Sequence, residues 1–507
     1  MASISRPVGR NAAIAISSQW GRFAVQVLSL ILFSRLLGPA ALGVVAMATA
    51  VVGLAGVVGD FGLSLAATQA STLTRGQKSN LFWINTAVGA LVAVAVFGAS
   101  PLIGTLYARP EVASVARWLA VGFLVSGLAV QYRVELTRSE RFGFLGLSET
   151  VSQLVGLGLG LAVAIEFNTY WAIVVQQLAG GAVLLGVLAS GTGWTPTRPR
   201  RGEAMRPLLQ FGRNTFAAQI VTFVGGNIDN VVVGRFWGQV DLGYYSRAYQ
   251  LAYTPGQQLA SPLTRVVLPR LASQANDLAR LVRSTKRAQL AIVYSVGALL
   301  ALLASSANIA VPLVLGADWR PAVPLVQILS VSSILTIMTY SSYWLLLARG
   351  ETTVLFRTEL LSKSVMAVLI VLAGGRGARW VAAAVAVGSL LLLLSYGTFG
   401  LPRAGVRPRD LALETIRPLL VLTLPTFTVW LVTNGFAPSG EIESAGVLAV
   451  ALLSGVAIYA LQCASIPVVR ADARLLLREF RAVAFRRADS APDARRDAGA
   501  MEGGSGT

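Results

Sequence analysis

Histidine is absent from this 507-residue chain, and Cys463 is its single cysteine. The lack of histidine removes the commonest catalytic base, metal ligand and proton switch near neutral pH. One cysteine in an apolar run excludes an intramolecular disulfide. The G-x-x-x-x-G-K-[ST] phosphate loop is also missing, so the chain has no ATPase site of that kind. D-x-D, H-E-x-x-H and G-x-S-x-G motifs are absent too, and we predict no enzymatic activity, no cofactor and no metal site.

Charged residues are scarce, at 13% of the chain, where a soluble protein has about 25%. Hydrophobic residues make up 55%, and apolar runs of about 20 residues, long enough to cross a bilayer as a helix, recur along the whole length. The sequence therefore predicts an all-α polytopic membrane protein. The net charge of +19 is interpreted as a signal for membrane orientation, and not for nucleic-acid binding.

Hydropathy predicts fourteen transmembrane helices, at 12–36, 42–70, 80–106, 112–133, 144–166, 169–190, 208–234, 242–269, 288–315, 322–348, 355–374, 379–400, 412–434 and 444–468. The alternative for the first span is a secretory signal, but its apolar run is longer than a signal's core and lacks a small-residue cleavage site. Lys and Arg collect in alternate loops, which predicts that both termini are cytoplasmic.

One short frame, R-x-x-G-x-x-x-L-G, occurs twice, as Arg35-Leu36-Leu37-Gly38 followed by Leu42-Gly43, and as Arg235-Phe236-Trp237-Gly238 followed by Leu242-Gly243. Ala48 and Ala248 also match. We interpret the repeat as an internal duplication that makes two pseudo-symmetric six-helix lobes facing each other across a cavity.

The predicted organisation has five parts. They are a first lobe at 1–190, a basic cytoplasmic linker at 191–207, a second lobe at 208–400, two additional helices at 401–470 and a basic tail at 471–507. Residues 473–487 predict an amphipathic helix on the anionic inner leaflet, with a stop-transfer charge cluster as the alternative. The composition after Ser490 is typical of disorder.

Ionisable residues within membrane helices are costly, so each is a candidate for function. Arg247 and Arg265 are five helical turns apart on one face, about 27 Å along the axis. Arginine can hold phosphate oxygens with two parallel hydrogen bonds, so this pair suits a diphosphate that moves between the membrane faces. The alternative is that each arginine snorkels to its own interface. Arg22 is also predicted to face the cavity, in preference to a buried ion pair.

The remaining intramembrane charges predict coupling or structural roles. Asp60 either pairs with Arg22 or takes a coupling proton or cation. Glu359 and Lys363 have the i, i+4 spacing of an intrahelical salt bridge. Glu149 is a further charge at membrane depth. Asp229 is interpreted as structural, tied to Arg235 or Asn230, and Arg35 and Arg235 as stabilising the carboxyl ends of helices.

A longer pattern carries a family resemblance. It comprises Asp229-Asn230, Gly234-Arg235, Leu242-Gly243-x-Tyr245-Ser246-Arg247-Ala248-Tyr249-Gln250-Leu251, Pro255, and Pro262-Leu263-x-Arg265-x-x-x-Pro269-x-Leu271. This segment resembles the Wzx-type polysaccharide flippases of the multidrug/oligosaccharidyl-lipid/polysaccharide exporter superfamily, in particular the colanic-acid and teichuronic-acid exporter branch. Arg35-Leu36-Leu37-Gly38-Pro39 and Asp60-Phe61-Gly62-Leu63 resemble the amino-terminal pattern of the same family. Helices 9–14 carry nothing diagnostic.

The resemblance implies two lobes, a cationic cavity and alternating access in a bacterial inner membrane. The implied substrate is an undecaprenyl-diphosphate-linked oligosaccharide, with a polysaccharide polymerase and sugar transferases as partners. Contact with anionic lipids is predicted separately, from the basic tail, which has no place in the family pattern. Alternatives are a cation-coupled multidrug antiporter, a membrane glycosyltransferase or polymerase, and a non-transporting component of a polysaccharide assembly complex. An antiporter would favour acidic cavity residues, and an enzyme would need a large catalytic loop.

Overall fold

The structure is a computed structural model that describes residues 5–60, 63–70, 72–203, 205–436, 438 and 440–485. Its α-helices are, in chain order, α1 (Ser5–Leu36), α2 (Pro39–Asp60), α3 (Leu63–Gln69), α4 (Arg75–Tyr107), α5 (Pro110–Arg138), α6 (Phe142–Phe167), α7 (Trp171–Thr192), α8 (Arg206–Ala272), α9 (Leu278–Ile292), α10 (Ala298–Leu315), α11 (Val323–Ala348), α12 (Thr352–Ala373), α13 (Ala378–Ser395), α14 (Leu401–Arg403), α15 (Pro408–Gly435), α16 (Glu441–Ser465) and α17 (Pro467–Phe485). The π-helical turns Val293–Gly297 and Tyr396–Gly400 join α9 to α10 and α13 to α14. No strand occurs in these ranges, and the predicted all-α class is confirmed.

Ten helical spans in the described residues are long and apolar enough to cross a membrane. Large apolar side chains such as Leu91, Leu102 and Leu413 are more than two-thirds exposed on the outside of the bundle, as expected where lipid is the solvent. The polytopic membrane fold is therefore confirmed. The exact count of fourteen stays a prediction, since α12, for example, carries Arg357, Glu359 and Lys363 close together.

Local chemistry explains where several helices begin and end. Thr74 and Gln77 form a capping box at the start of α4, which satisfies backbone N–H groups that have no partner within the helix. Pro110 opens α5, at a position where its missing N–H costs nothing. Asn168 and Gly193 end α6 and α7 in left-handed conformations. These caps allow the short connections that hold consecutive helices antiparallel.

The predicted basic linker lies along the beginning of α4. The Trp83 indole N–H donates to the Thr197 carbonyl at 2.8 Å. The Asn80 amide donates to the Arg200 carbonyl at 2.8 Å, and the Thr74 hydroxyl donates to the Glu203 carboxylate at 2.7 Å. Side-chain hydrogen bonds therefore fix the linker to the first half of the chain.

Both copies of the repeated frame mark a break between two helices. The first break lies between the end of α1 at Leu36 and the start of α2 at Pro39. The second is inside α8, where Gly238 has φ +81° and ψ −170°, a conformation that only glycine adopts without strain. The predicted spans 208–234 and 242–269 are thus two helical segments joined at Gly238.

The segments that follow these breaks pack against each other reciprocally. A Cβ at Gly43 in α2 would overlap the carbonyl oxygen of Gln239. A Cβ at Gly243 in α8 would overlap the carbonyl oxygen of Pro39. The two contacts correspond to each other, because each residue of one lies 200 positions from its counterpart in the other. The backbones can approach this closely only because both positions are glycine. We call this reciprocal contact the glycine crossing.

Further hydrogen bonds join the two halves of the chain near the glycine crossing. Arg35 donates to the carbonyls of Leu313 and, at 3.0 Å, Val314, and its guanidinium lies 3.3 Å from the Glu441 carboxylate. The buried Trp319 indole donates to the Ser34 carbonyl at 2.8 Å. Arg35 thus stabilises the carboxyl end of a helix, as predicted. The helix is α10, however, and not the helix that carries Arg35. We call this region the closed end of the bundle.

The predicted amphipathic tail helix begins as α17. Asp472 is buried and accepts hydrogen bonds from Arg417 at 2.9 Å and from the Tyr294 hydroxyl at 3.1 Å. These bonds fix the start of α17 to α15 and to the turn that follows α9. The structure describes the backbone of this helix to residue 485 but not its side chains from residue 479 onwards, so membrane binding by this helix stays a prediction.

Candidate substrate cavity

A cavity of about 950 Å³ lies between α1, α2, α6, α7 and α8. Phe33 and Leu42, almost fully buried, lie at its limit near the closed end. The Arg133 side chain, one turn from the carboxyl end of α5, lines the opposite part and is 51% exposed. The cavity is therefore sealed at one end of the bundle and accessible from the other.

Helical periodicity brings the polar lining together. On α1, Arg22, Gln26 and Ser29 recur at four- and three-residue intervals and share one face. On α6, Glu149 and Gln153 do the same. Each helix thereby presents a polar stripe to the cavity and apolar residues to its other neighbours.

Arg22 and Arg247, two of the three predicted diphosphate ligands, both line this cavity. Arg22 forms an ion pair with Glu149, so it faces the cavity and is also paired. Arg133 lies 3.5 Å from the same carboxylate. The structure describes the backbone but not the side chains of Asp60 and of Arg265, the third predicted ligand, so the predicted Arg22–Asp60 pair stays a prediction. Binding by these residues stays a prediction.

Arg22 and Arg133 both contact the Glu149 carboxylate. No carboxylate among the described residues contacts Arg247. It is 9% exposed, and one Nη donates to the Gln250 amide oxygen at 2.8 Å. Its Nε atom is buried without a hydrogen-bond partner in the described part of the chain. A buried donor without an acceptor is costly, and an oxygen atom of a bound ligand would supply the missing acceptor.

Amide side chains form a second group in the cavity, which we call the amide belt. Its members are glutamines from four helices, namely Gln26, Gln153, Gln176, Gln177 and Gln250. Gln176 donates to the Ser29 hydroxyl at 2.8 Å, which holds α7 against α1. Amides both donate and accept hydrogen bonds without carrying charge, so the belt suits a ligand rich in hydroxyl groups.

Glu359, Lys363 and Asp229 are not among the residues that line this cavity. Glu359 and Lys363 are 2.8 Å apart in α12, and the Tyr396 hydroxyl donates to Glu359 at 2.7 Å. Lys363 also lines a smaller cavity of about 210 Å³ between α8, α11, α12 and α13. Buried Asp229 accepts hydrogen bonds from Asn230, as predicted, and from the Tyr245 hydroxyl at 2.7 Å, which the sequence did not indicate.

Sequence analysis missed Arg133 and the amide belt, and it gave Glu149 no role. Arg133 is the last residue of the predicted helix 112–133, whereas α5 continues to Arg138. The signal for the belt was available in the sequence, because glutamines at helical spacing in otherwise apolar helices indicate a polar face inside the bundle.

Comparisons with known proteins agree with this architecture. Residues 32–324 match the sequence profile of a family described as polysaccharide biosynthesis proteins. The chain is 27% identical over 399 residues to the lipopolysaccharide biosynthesis protein WzxC of Escherichia coli (strain K12), covering 76% of this chain and 79% of the relative. It is 30% identical over 305 residues to the teichuronic acid biosynthesis protein TuaB of Bacillus subtilis (strain 168), covering 59% and 62%.

The fold is also similar to that of a solved lipid II flippase, MurJ, in an inward closed conformation. The TM-score is 0.68 at 13% identity, covering 89% of this chain and 97% of MurJ. Fold and cavity together define a polytopic helical membrane protein with a polar internal cavity. The chain belongs to the polysaccharide biosynthesis protein family, and the predicted membership is confirmed.

Proposed function

We propose that the protein is a flippase that moves an undecaprenyl-diphosphate-linked oligosaccharide across a bacterial inner membrane by alternating access. The product would supply the synthesis of a cell-surface polysaccharide. The observation that carries this proposal is the cavity itself, which is sealed at one end and lined by both cationic and amide side chains.

The cationic side chains suit the diphosphate. Arg22, Arg133 and Arg247 line the cavity with Glu149, which leaves an excess of positive charge among the described lining residues. A diphosphate esterified at both ends keeps one negative charge on each phosphate. Guanidinium groups would offset the desolvation of these charges through bidentate hydrogen bonds. Arg265 remains a proposed ligand further along α8.

The amide belt suits the sugars. Gln26 and Gln250 lie on the same helices as Arg22 and Arg247, and the other members come from α6 and α7. The belt extends from the level of Arg22 towards the closed end. An oligosaccharide entering from the accessible end would place its hydroxyl groups against these amides while the diphosphate stays beside the arginines. The isoprenoid tail would remain in the bilayer, through a gap between the two proposed lobes at 1–190 and 208–400.

Orientation, energy source and partners complete the proposal. Both termini would be cytoplasmic, so substrate would enter from the inner leaflet. Asp60, or the Glu359–Lys363 pair, would respond to an ion gradient or to the membrane potential. The basic tail would contact anionic lipids, and a polysaccharide polymerase and sugar transferases would act on the same substrate.

The charge of the cavity argues against a cation-coupled multidrug antiporter. Three arginines against one glutamate, among the described lining residues, would repel a cationic drug. A non-transporting component of an assembly complex would not need an accessible polar cavity in the membrane.

Replacing Arg22 or Arg265 by alanine is expected to abolish transport while expression persists, because each change removes a ligand of the diphosphate. The measurement is transfer of a fluorescent polyprenyl-diphosphate oligosaccharide across vesicles that contain the purified protein. Arg117→Ala is the control, since Arg117 in α5 bonds Ser100 outside the cavity. Transfer at the wild-type rate by both alanine variants would overturn the assignment of Arg22 and Arg265 as diphosphate ligands. If the wild-type protein transferred a cationic dye but not the oligosaccharide, the antiporter would be favoured.

Changing Gln26 and Gln153 together to leucine is expected to weaken binding of the oligosaccharide substrate by roughly tenfold or more, at about 1 kcal/mol for each lost hydrogen bond. Binding of inorganic pyrophosphate should stay within twofold of wild type, because the arginines are intact. Gln462→Leu, in α16 away from the cavity, is the matched control. An equal loss of affinity for the oligosaccharide substrate and for pyrophosphate would mean that the amide belt does not bind the sugars.

A further inference from the structure

The Glu149 carboxylate occupies a position between two of the cavity arginines. It forms an ion pair with Arg22 of α1 and lies 3.5 Å from Arg133 of α5. Its side chain is only 17% exposed, whereas the Arg133 side chain is half exposed. One carboxylate from α6 therefore bridges three helices on the wall of the cavity.

The contacts of the Glu149 carboxylate with the two arginines resemble those that a substrate phosphate would make. A carboxylate and a phosphate both present paired oxygen atoms to a guanidinium group, and arginine binds either one through the same fork of N–H donors. Arg22 and Arg133 cannot direct the same donors to Glu149 and to a substrate phosphate at once. The carboxylate and the phosphate must compete for them.

A second ion pair in the same half of the chain shows what a structural pair looks like here. Lys78 of α4 and Glu135 of α5 are 2.6 Å apart with similar exposure, and neither residue lines any of the described cavities. The Glu149 pairs differ because all three of their residues line the main cavity.

We infer that Glu149 is a resident anion of the diphosphate site, which holds Arg22 and Arg133 in the empty protein and is displaced when substrate phosphate binds. The inference rests on the proposed function, because it assigns a regulatory role within the proposed site. Glu149 is a positioning residue that acts through the two arginines.

Displacement would also loosen a connection between helices. The Arg22–Glu149 pair joins α1 to α6. When a phosphate takes over Arg22, this connection is lost and α1 is held less firmly against α6. When the substrate leaves, Glu149 recovers both arginines, which favours release and resets the empty protein. Loaded and empty proteins thereby differ in how α1 is held.

The test is the affinity of the purified full-length protein for inorganic pyrophosphate. Glu149→Gln is expected to tighten binding by about tenfold, since a competing charge-assisted interaction is removed. Glu149→Asp keeps a shorter carboxylate that reaches the arginines less well, so its affinity should fall between those of wild type and Glu149→Gln. Glu135→Gln removes the same charge outside the cavity and should change affinity less than twofold.

The order of affinities decides the inference. A purely structural role for Glu149 predicts unchanged or weaker binding in both Glu149 variants, and this result would overturn it. If Glu149→Gln does not fold, Glu149→Asp still shows whether weakening the carboxylate's contacts raises or lowers the affinity for pyrophosphate. Transport of the lipid-linked oligosaccharide by Glu149→Gln should be slower than wild type despite tighter binding, because release is no longer assisted. Tighter pyrophosphate binding without any oligosaccharide transport in wild type would support the resident anion and reject the proposed function.

Discussion

Replacing Arg247 by glutamine is expected to abolish transport and, at the same time, to make the empty protein more stable. The buried guanidinium donates one hydrogen bond to the Gln250 amide oxygen at 2.8 Å, and its Nε has no partner in the described residues. Removing a buried charge partner of a bound phosphate costs about 2–5 kcal/mol of binding, at least roughly thirtyfold in affinity. The same removal relieves an uncompensated buried charge in the empty state.

Pyrophosphate affinity, vesicle transport and thermal unfolding of one variant test this prediction together. Arg247→Lys should give intermediate binding, because lysine supplies the charge without the planar fork. Arg117→Gln should leave all three measurements near wild type. Lower stability together with unchanged binding in Arg247→Gln would identify Arg247 as a structural residue.

Replacing Gly43 or Gly243 by alanine is expected to separate the two helices at the glycine crossing. Each added methyl group would overlap a backbone carbonyl, which cannot move aside as a flexible side chain would. Overpacking of this kind costs about 1–3 kcal/mol, and the closed end should become accessible to water-soluble probes. Thermal unfolding and labelling of a cysteine introduced nearby would measure the two effects.

The reciprocal geometry makes the double variant the sharper experiment. Once one alanine has moved the helices apart, the second meets less resistance, so the two costs should not add. Gly158→Ala and Gly186→Ala are controls, since a Cβ at either position meets nothing within 4 Å. If the destabilisation of the double variant equalled the sum of the two single variants, the two contacts at the glycine crossing would be independent of each other.

The sequence predicted the membrane class, the family and the site of the repeat because these depend on local signals. Apolar runs, the spacing of Arg35 to Gly43 and its copy at Arg235 to Gly243 are all visible along the chain. The reciprocal approach of these copies was not predictable, because nothing in a linear pattern states which carbonyl a glycine faces.

The candidate site was predictable only in part, for a similar reason. Arg22 and Arg247 could be identified as isolated charges in apolar helices. Their partners could not, because Glu149 is 127 residues from Arg22 in the chain and helix packing alone decides that they meet. Arg133 was missed because helix ends are poorly marked where an apolar helix continues beyond the membrane core.

The glycine crossing has a consequence for the origin of the chain. In a two-fold symmetric dimer, residue i of one subunit contacts residue j of its partner while j contacts i. Pro39 with Gly243, and Gln239 with Gly43, satisfy this rule within one polypeptide. Under the predicted duplication, the crossing corresponds to the interface of an isologous pair of half-length ancestors, which gene fusion would have preserved by tethering the former subunits.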